Sequence, residues 1–142
     1  MILNKKKPKI LIIGSTGKLG SLLLNYTLKK NIPIFAITCF HNTSKLKSQS
    51  KKYKVKNIFT LSNMSEKKSF LSFLQKKIDI IYFLDFGSLS LKYLKIFNKF
   101  NKYSHICIAN KEMIIAGGAI LNNQISKSKN MLIPLDSEHF SL

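Results

Sequence analysis

The sequence predicts a single-domain α/β protein built on a doubly wound, mostly parallel sheet. Three observations carry that prediction. Apolar runs of strand length alternate along the chain with longer segments of helical periodicity, and such alternation builds a parallel sheet with helices on its faces. Several of the apolar runs are continuous, as strands covered on both faces require. The chain also has 142 residues, 45% of them apolar, which is one domain's worth with a sizeable core.

In chain order, strands are predicted at 9–13 (KILII), 32–39 (IPIFAITC), 57–61 (NIFTL), 78–85 (IDIIYFLD), 104–109 (SHICIA) and 131–135 (MLIPL). GKLGSLLLNYTLKK forms a helix after the first strand, and the lysine-rich stretch 45–56 reads as a solvated helix and loop. SEKKSFLSFLQKK is a helix before the fourth strand and LSLKYLKIFNKF one after it. In the latter, Leu91, Leu94, Phe97 and Phe100 recur at helical spacing and predict a core-facing stripe. KEMIIAGGAILNNQISKS links the last two strands, with a glycine pair that weakens it as a helix.

Lys and Arg together number 24 against 6 acidic residues, for a net charge of +18. Excess cations attract polyanions. Every one of these cations is lysine, however, and arginine is the side chain suited to bidentate phosphate and base contacts. The lysines are scattered over almost every loop and helix, among abundant Ile, Asn, Phe and Tyr, as AT-rich coding DNA would give. Compositional drift is therefore favoured over a nucleic-acid role. Cys39 and Cys107 each lie inside an apolar strand and read as buried reduced thiols, not a disulfide or zinc framework. No apolar run has the length of a membrane span, and the N-terminus passes through lysines into a strand with no signal-peptide core. A cytoplasmic protein without membrane association is expected.

The first chemistry lies in KILIIGSTGKLGSLLL, where a buried strand ends at Gly14 and a helix begins near Gly17. Gly14, Gly17 and Gly20 suit a tight turn, close approach to a pyrophosphate and helix–sheet packing. Phosphates would sit at the helix N-terminus, with the hydroxyls of Ser15 and Thr16 between the glycines. The same residues also read as a glycine-rich turn with no ligand. After the second strand, His41, Asn42, Thr43, Ser44 and Lys45 stand where NAD-specific enzymes carry an acid for the ribose. A carboxylate there would repel a 2′-phosphate, so its absence favours NADP; His41 alone reads equally as a surface histidine.

Asn110, Lys111 and Glu112 follow the fifth strand, at the edge where doubly wound sheets bind ligands. They also read as a polar helix start with its acid in the first turn. One strand later, Asp136 and Glu138 are two apart in an extended segment and point the same way, flanked by Ser137 and His139. Converging carboxylates repel unless a proton or cation stands between them, and a hard divalent ion fits. An acidic turn on a basic surface is the other reading.

Together, KILIIGSTGKLG, ANKE followed by AGG, and LIPLDSEH, in this order, resemble 1-deoxy-D-xylulose-5-phosphate reductoisomerase. The resemblance implies an NADPH-dependent and divalent-metal-dependent (Mg, Mn or Co) oxidoreductase and isomerase of non-mevalonate isoprenoid biosynthesis. The product would be 2-C-methyl-D-erythritol 4-phosphate. It implies a Rossmann-like NADPH-binding domain over 1–135 and the start of a catalytic, metal-binding domain at 136–142. Thr16, Gly17, Lys18 and Leu19 would cradle the cofactor phosphates, with Lys18 in place of the family's usual serine. Phe40, His41 and Asn42 match the segment near the adenosine ribose, Phe40 replacing a small residue. Asn110 and Glu112 match cofactor contacts, and Lys111, Ser137 and Glu138 substrate contacts, with Lys111 and Glu138 catalytic. Asp136 and Glu138 match metal ligands.

The family's further metal-binding glutamate, its substrate-phosphate site and its lid lie beyond the DSEH motif. The expectation is therefore an incomplete chain, truncated or split and inactive alone, with a phosphosugar as substrate; a separate polypeptide carrying the missing domain and a family-like homodimer are further options. A non-catalytic NADP-binding module or degenerate remnant is the alternative, and a basic nucleic-acid-binding protein a third.

Overall fold

The computed structural model describes residues 6–85 and 90–135. Strands β1 (Ile10–Ile13), β2 (Ala36–Cys39), β3 (Asn57–Thr60), β4 (Ile80–Phe83), β5 (His105–Ile108) and β6 (Met131–Pro134) alternate with helices. The helices are α1 (Lys18–Lys29), α2 (Thr43–Tyr53), α3 (Met64–Phe73), α4 (Leu91–Phe100) and α5 (Lys111–Lys127). All strands pair in parallel, in the order β3-β2-β1-β4-β5-β6. This is the doubly wound, Rossmann-like arrangement, and the predicted fold class is borne out.

The faces follow from handedness. The chain steps from β1 out to β3, returns past β1 to β4, then steps outward the other way. Parallel crossovers are right-handed, so this reversal sends α1 and α2 to one face and α3, α4 and α5 to the other. The packing agrees. Leu23, Leu24 and Leu46 lie against Ile10, Ile12 and Ile37, whereas Phe70, Leu94, Phe97 and Met113 lie against Leu11, Ile13, Phe83 and Ile108. Successive residues of β1 thus serve opposite layers, which is why its apolar run is unbroken. Phe70, Phe83 and Phe97 are the bulkiest fully buried side chains, each worth on the order of 2–3 kcal/mol over an exposed ring.

Every predicted strand is longer than the four-residue strand that forms, because burial and pairing are different properties. Ile34 is buried ahead of β2 without extending it; Pro33 beside it has no N–H to contribute. The predicted stripe on α4 needs correction at one end. Leu94 and Phe97 are buried, but Phe100 is 45% exposed and Tyr93 is buried instead. Steps of three residues fall about 60° short of a full turn each time, so a three-spaced series drifts around the helix. In α5 the glycine pair does break the helix: Gly118 has φ 58° and ψ −157°.

At the N-terminal edge of the sheet, three loops are locked by amides. The Asn101 side chain accepts from Ile78 N–H (2.9 Å) and donates to the Leu74 carbonyl (3.3 Å). Asn130 accepts from Ser104 N–H (2.8 Å) and donates to Asn98 Oδ1 and the Asn101 carbonyl, both at 2.8 Å. Ser104 Oγ donates to the Ile78 carbonyl at 2.7 Å. Asn31, Lys54, Tyr103 and Lys129 adopt positive φ of 55–62° in the connections that follow α1, α2, α4 and α5.

Candidate functional site: the carboxyl edge of the sheet

Because all strands are parallel, the described residues that follow β1, β2, β4 and β5 gather at one edge, and the strand order reverses there between β1 and β4. The turn after β1 is rigidly built. Gly14 has φ +88°, and a Cβ on it would lie 2.7 Å from the Asp85 backbone nitrogen. Gly14 and Ser15 N–H both donate to the Thr38 carbonyl of β2, at 3.1 and 3.0 Å. A Cβ on Gly20 would meet the Gly14 oxygen and Ser15 Cα at 2.5 Å, so α1 starts directly on the turn.

Ser15 departs from its expected role. It is fully buried, its hydroxyl donates to Gln49 Oε1 (2.8 Å), and Gln49 Nε2 donates back to the Ser15 carbonyl (2.9 Å). The hydroxyl therefore bolts the turn to α2 and is not offered to a phosphate. Thr16 is half-buried, and Gly17 and Lys18 are exposed.

Gly17 differs from the other two glycines. It caps α1 in an extended conformation with no side-chain hydrogen bond. Among the described residues, a Cβ there would meet only the Gly14 oxygen, at an ordinary 3.8 Å. Neither φ nor crowding calls for glycine. The first turn behind it contains no acid, and its first helical bond is Ser21 N–H to the Gly17 carbonyl at 3.0 Å. The amides of Lys18, Leu19 and Gly20 precede that bond and face the edge, where the helix dipole favours an anion. These features fit a dinucleotide pyrophosphate: a bare backbone, free amides and a cation at Lys18.

After β2, Phe40 is 55% exposed and its ring meets His41 edge-on at 4.6 Å. Asn42 caps α2, its Oδ1 accepting from Lys45 N–H (3.2 Å) and Ser44 Oγ (3.3 Å). After β5, Asn110 caps α5, accepting from the N–H groups of Glu112 (3.0 Å) and Met113 (3.3 Å). Lys111 and Glu112 stand exposed in the first turn. The fold thus brings Thr16–Leu19, Phe40–Asn42 and Asn110–Glu112 to one edge. Asp136, Ser137, Glu138 and His139 lie outside the described residues. Among the described residues no three His, Cys, Asp or Glu side chains gather as a metal site.

Sequence reasoning passed over Asp85, two residues past β4. Its carboxyl accepts a hydrogen bond from the Ser90 hydroxyl at Oδ2, while Oδ1 is buried with no hydrogen-bond partner among the described residues. Burial pushes its pKa above the ordinary carboxylate value, partly offset by the Ser90 hydroxyl and its own backbone amide. Its one available signal was an acid, in a chain with few, at the very end of the predicted fourth strand. Cys39 and Cys107 are buried and unpaired, as predicted; burial raises both thiol pKa values, that of Cys107 to about 11. Among the described residues no helix is long and apolar enough to cross a membrane.

No protein-family model matches the chain. It is 35% identical over 161 residues to the 1-deoxy-D-xylulose 5-phosphate reductoisomerase of Pelagibacter ubique (strain HTCC1062), covering 94% of this chain and 39% of that protein. It is 32% identical over 152 residues to the enzyme of the same name from Francisella tularensis subsp. tularensis (strain WY96-3418), with the same coverage. The chain thus spans about two-fifths of the length of these curated relatives. In structure it is similar to the Zymomonas mobilis reductoisomerase in complex with NADPH, with a TM-score of 0.76, 19% identity and coverage of 93% of this chain and 40% of that one. The biliverdin reductase of Synechocystis sp. PCC 6803, in complex with biliverdin and NADP+, shares the fold at a TM-score of 0.72 and 11% identity, covering 94% of this chain and 39% of that one. Sequence and fold together make the chain a homologue of one segment of the 1-deoxy-D-xylulose 5-phosphate reductoisomerases.

Proposed function

We propose that the chain binds NADPH across the carboxyl edge of its sheet, as the dinucleotide-binding part of a 1-deoxy-D-xylulose 5-phosphate reductoisomerase. The observation that carries this reading is Gly17, a glycine that no described neighbour requires, at the open N-terminus of α1. Thr16, Gly17, Lys18 and Leu19 hold the phosphates through backbone amides and the Lys18 ammonium. Phe40, His41 and Asn42 take the adenosine ribose, and the lack of a carboxylate there admits a 2′-phosphate. Asn110 and Glu112 orient the nicotinamide side.

For the reaction, Lys111 meets a substrate oxygen, and Asp136 and Glu138 hold a divalent ion, with Ser137 and Glu138 also touching the phosphosugar. Residues 1–135 form the NADPH-binding domain, and 136–142 begin the catalytic one. The bound cofactor supplies the hydride, and the protein supplies orientation and electrostatics. Fluorescence titration of the folded chain tests the reading. NADPH should bind saturably and more tightly than NADH; absence of NADPH uptake would overturn it, and equal affinities would overturn the NADP preference.

A further inference from the structure

Asp85 occupies the point where the strand order reverses, which is where doubly wound sheets receive a dinucleotide. Its Cβ would stand 3.0 Å from a Cβ on Gly14, so the side chain leaves the backbone directly against the first glycine of the turn. The carboxyl is held there. Ser90, the residue capping α4, caps none of that helix's amides with its hydroxyl and donates a hydrogen bond to Asp85 Oδ2. Oδ1 is buried with no partner among the described residues. An isolated buried carboxylate is costly, and burial favours its neutral form. The rest of the turn is free of negative charge, since the first turn of α1 has no acid.

We infer that Asp85 sets how tightly this turn holds the phosphates of a dinucleotide: the neutral carboxyl admits them and the carboxylate repels them. This rests on the NADPH reading above. Other charged groups belong to the neighbouring elements. Tyr93 of α4 interacts with Asp85 and with Lys67 of α3, and its own burial keeps it neutral to higher pH. Lys92 lies beside Tyr93 on α4. Lys18 opens α1, Lys111 and Glu112 open α5, and His41 follows β2. All of these remain in an Asp85→Asn variant, so a difference between it and the native chain reports Asp85. The sign is fixed: a raised carboxyl pKa leaves the group neutral at low pH, and affinity falls as pH rises through that pKa.

The test is NADPH titration of the full 142-residue chain and of Asp85→Asn, from about pH 4 to about pH 8, a range that starts at the ordinary carboxylate value. The native chain should lose affinity with rising pH relative to the variant, and Asp85→Asn should bind about tenfold more tightly at the upper end, equivalent to about 1.4 kcal/mol. Asp85→Ser gives the same comparison if the asparagine variant does not fold. Equal affinities and equal pH profiles would overturn the inference while leaving NADPH binding intact. No uptake by either protein at any pH would overturn both.

Discussion

At the N-terminal edge of the sheet, Asn98, Asn101, Asn130 and Ser104 hydrogen-bond to one another and to three loop backbones. At the carboxyl edge the pattern reverses. The buried side-chain atoms without a partner among the described residues are Ser21 Oγ on α1, Thr38 Oγ1 on β2 and Asp85 Oδ1 after β4, all on elements that flank the turn after β1. Both edges carry internally bonded polar groups, yet the unpartnered ones among the described residues gather on the elements beside this turn. Unpaired buried polar groups cost stability, and natural folds tolerate such costs where a site needs them. The closed edge holds the fold together. The other is arranged for something that comes and goes.

Substitutions can break or sharpen this division. The largest effect is expected at Gly20, where any side chain meets backbone atoms of the turn at 2.5 Å. Gly20→Val should cost about 3 kcal/mol in urea unfolding, at the severe end of overpacking, and should reduce NADPH binding as the turn shifts. Next, Asn130→Ala strips partners from Ser104 N–H, Asn98 and the Asn101 carbonyl. It should cost about 2 kcal/mol while leaving NADPH affinity of the folded protein unchanged, as measured by titration well below the melting transition. The smallest stability change should come from Gly17→Ala, under about 1 kcal/mol as for other exchanges at a helix cap. Its NADPH affinity should nonetheless fall about tenfold. If Asn130→Ala weakens binding, or Gly17→Ala leaves it untouched, the two edges do not divide the work in this way.

The sequence made the carboxyl edge more legible than the opposite one. Its residues are local: three glycines within seven positions, and Asn110 to Glu112 directly after a strand, can be read from spacing alone. The asparagine lock is assembled from residues about thirty positions apart, such as Asn98 and Asn130, and no periodicity announces it. Ser15 looked available because the sequence could not reveal Gln49, on the next helix, waiting to receive it. Phe100 followed its apolar neighbours in spacing but not in direction. Asp85 was overlooked because it ends a strand as an ordinary boundary residue would; only its position against Gly14 distinguishes it.

The left-handed residues Lys54, Tyr103 and Lys129 offer an engineering route. Side chains in that conformation cost roughly 1–2 kcal/mol each, and glycine is the usual occupant after a helix. Each lies in a connection that leads back to the start of a strand, on the far side of the sheet from the turn. Glycine at these three places is a way to raise the melting temperature without disturbing ligand recognition, and at two of them it also trims an unusually high positive charge.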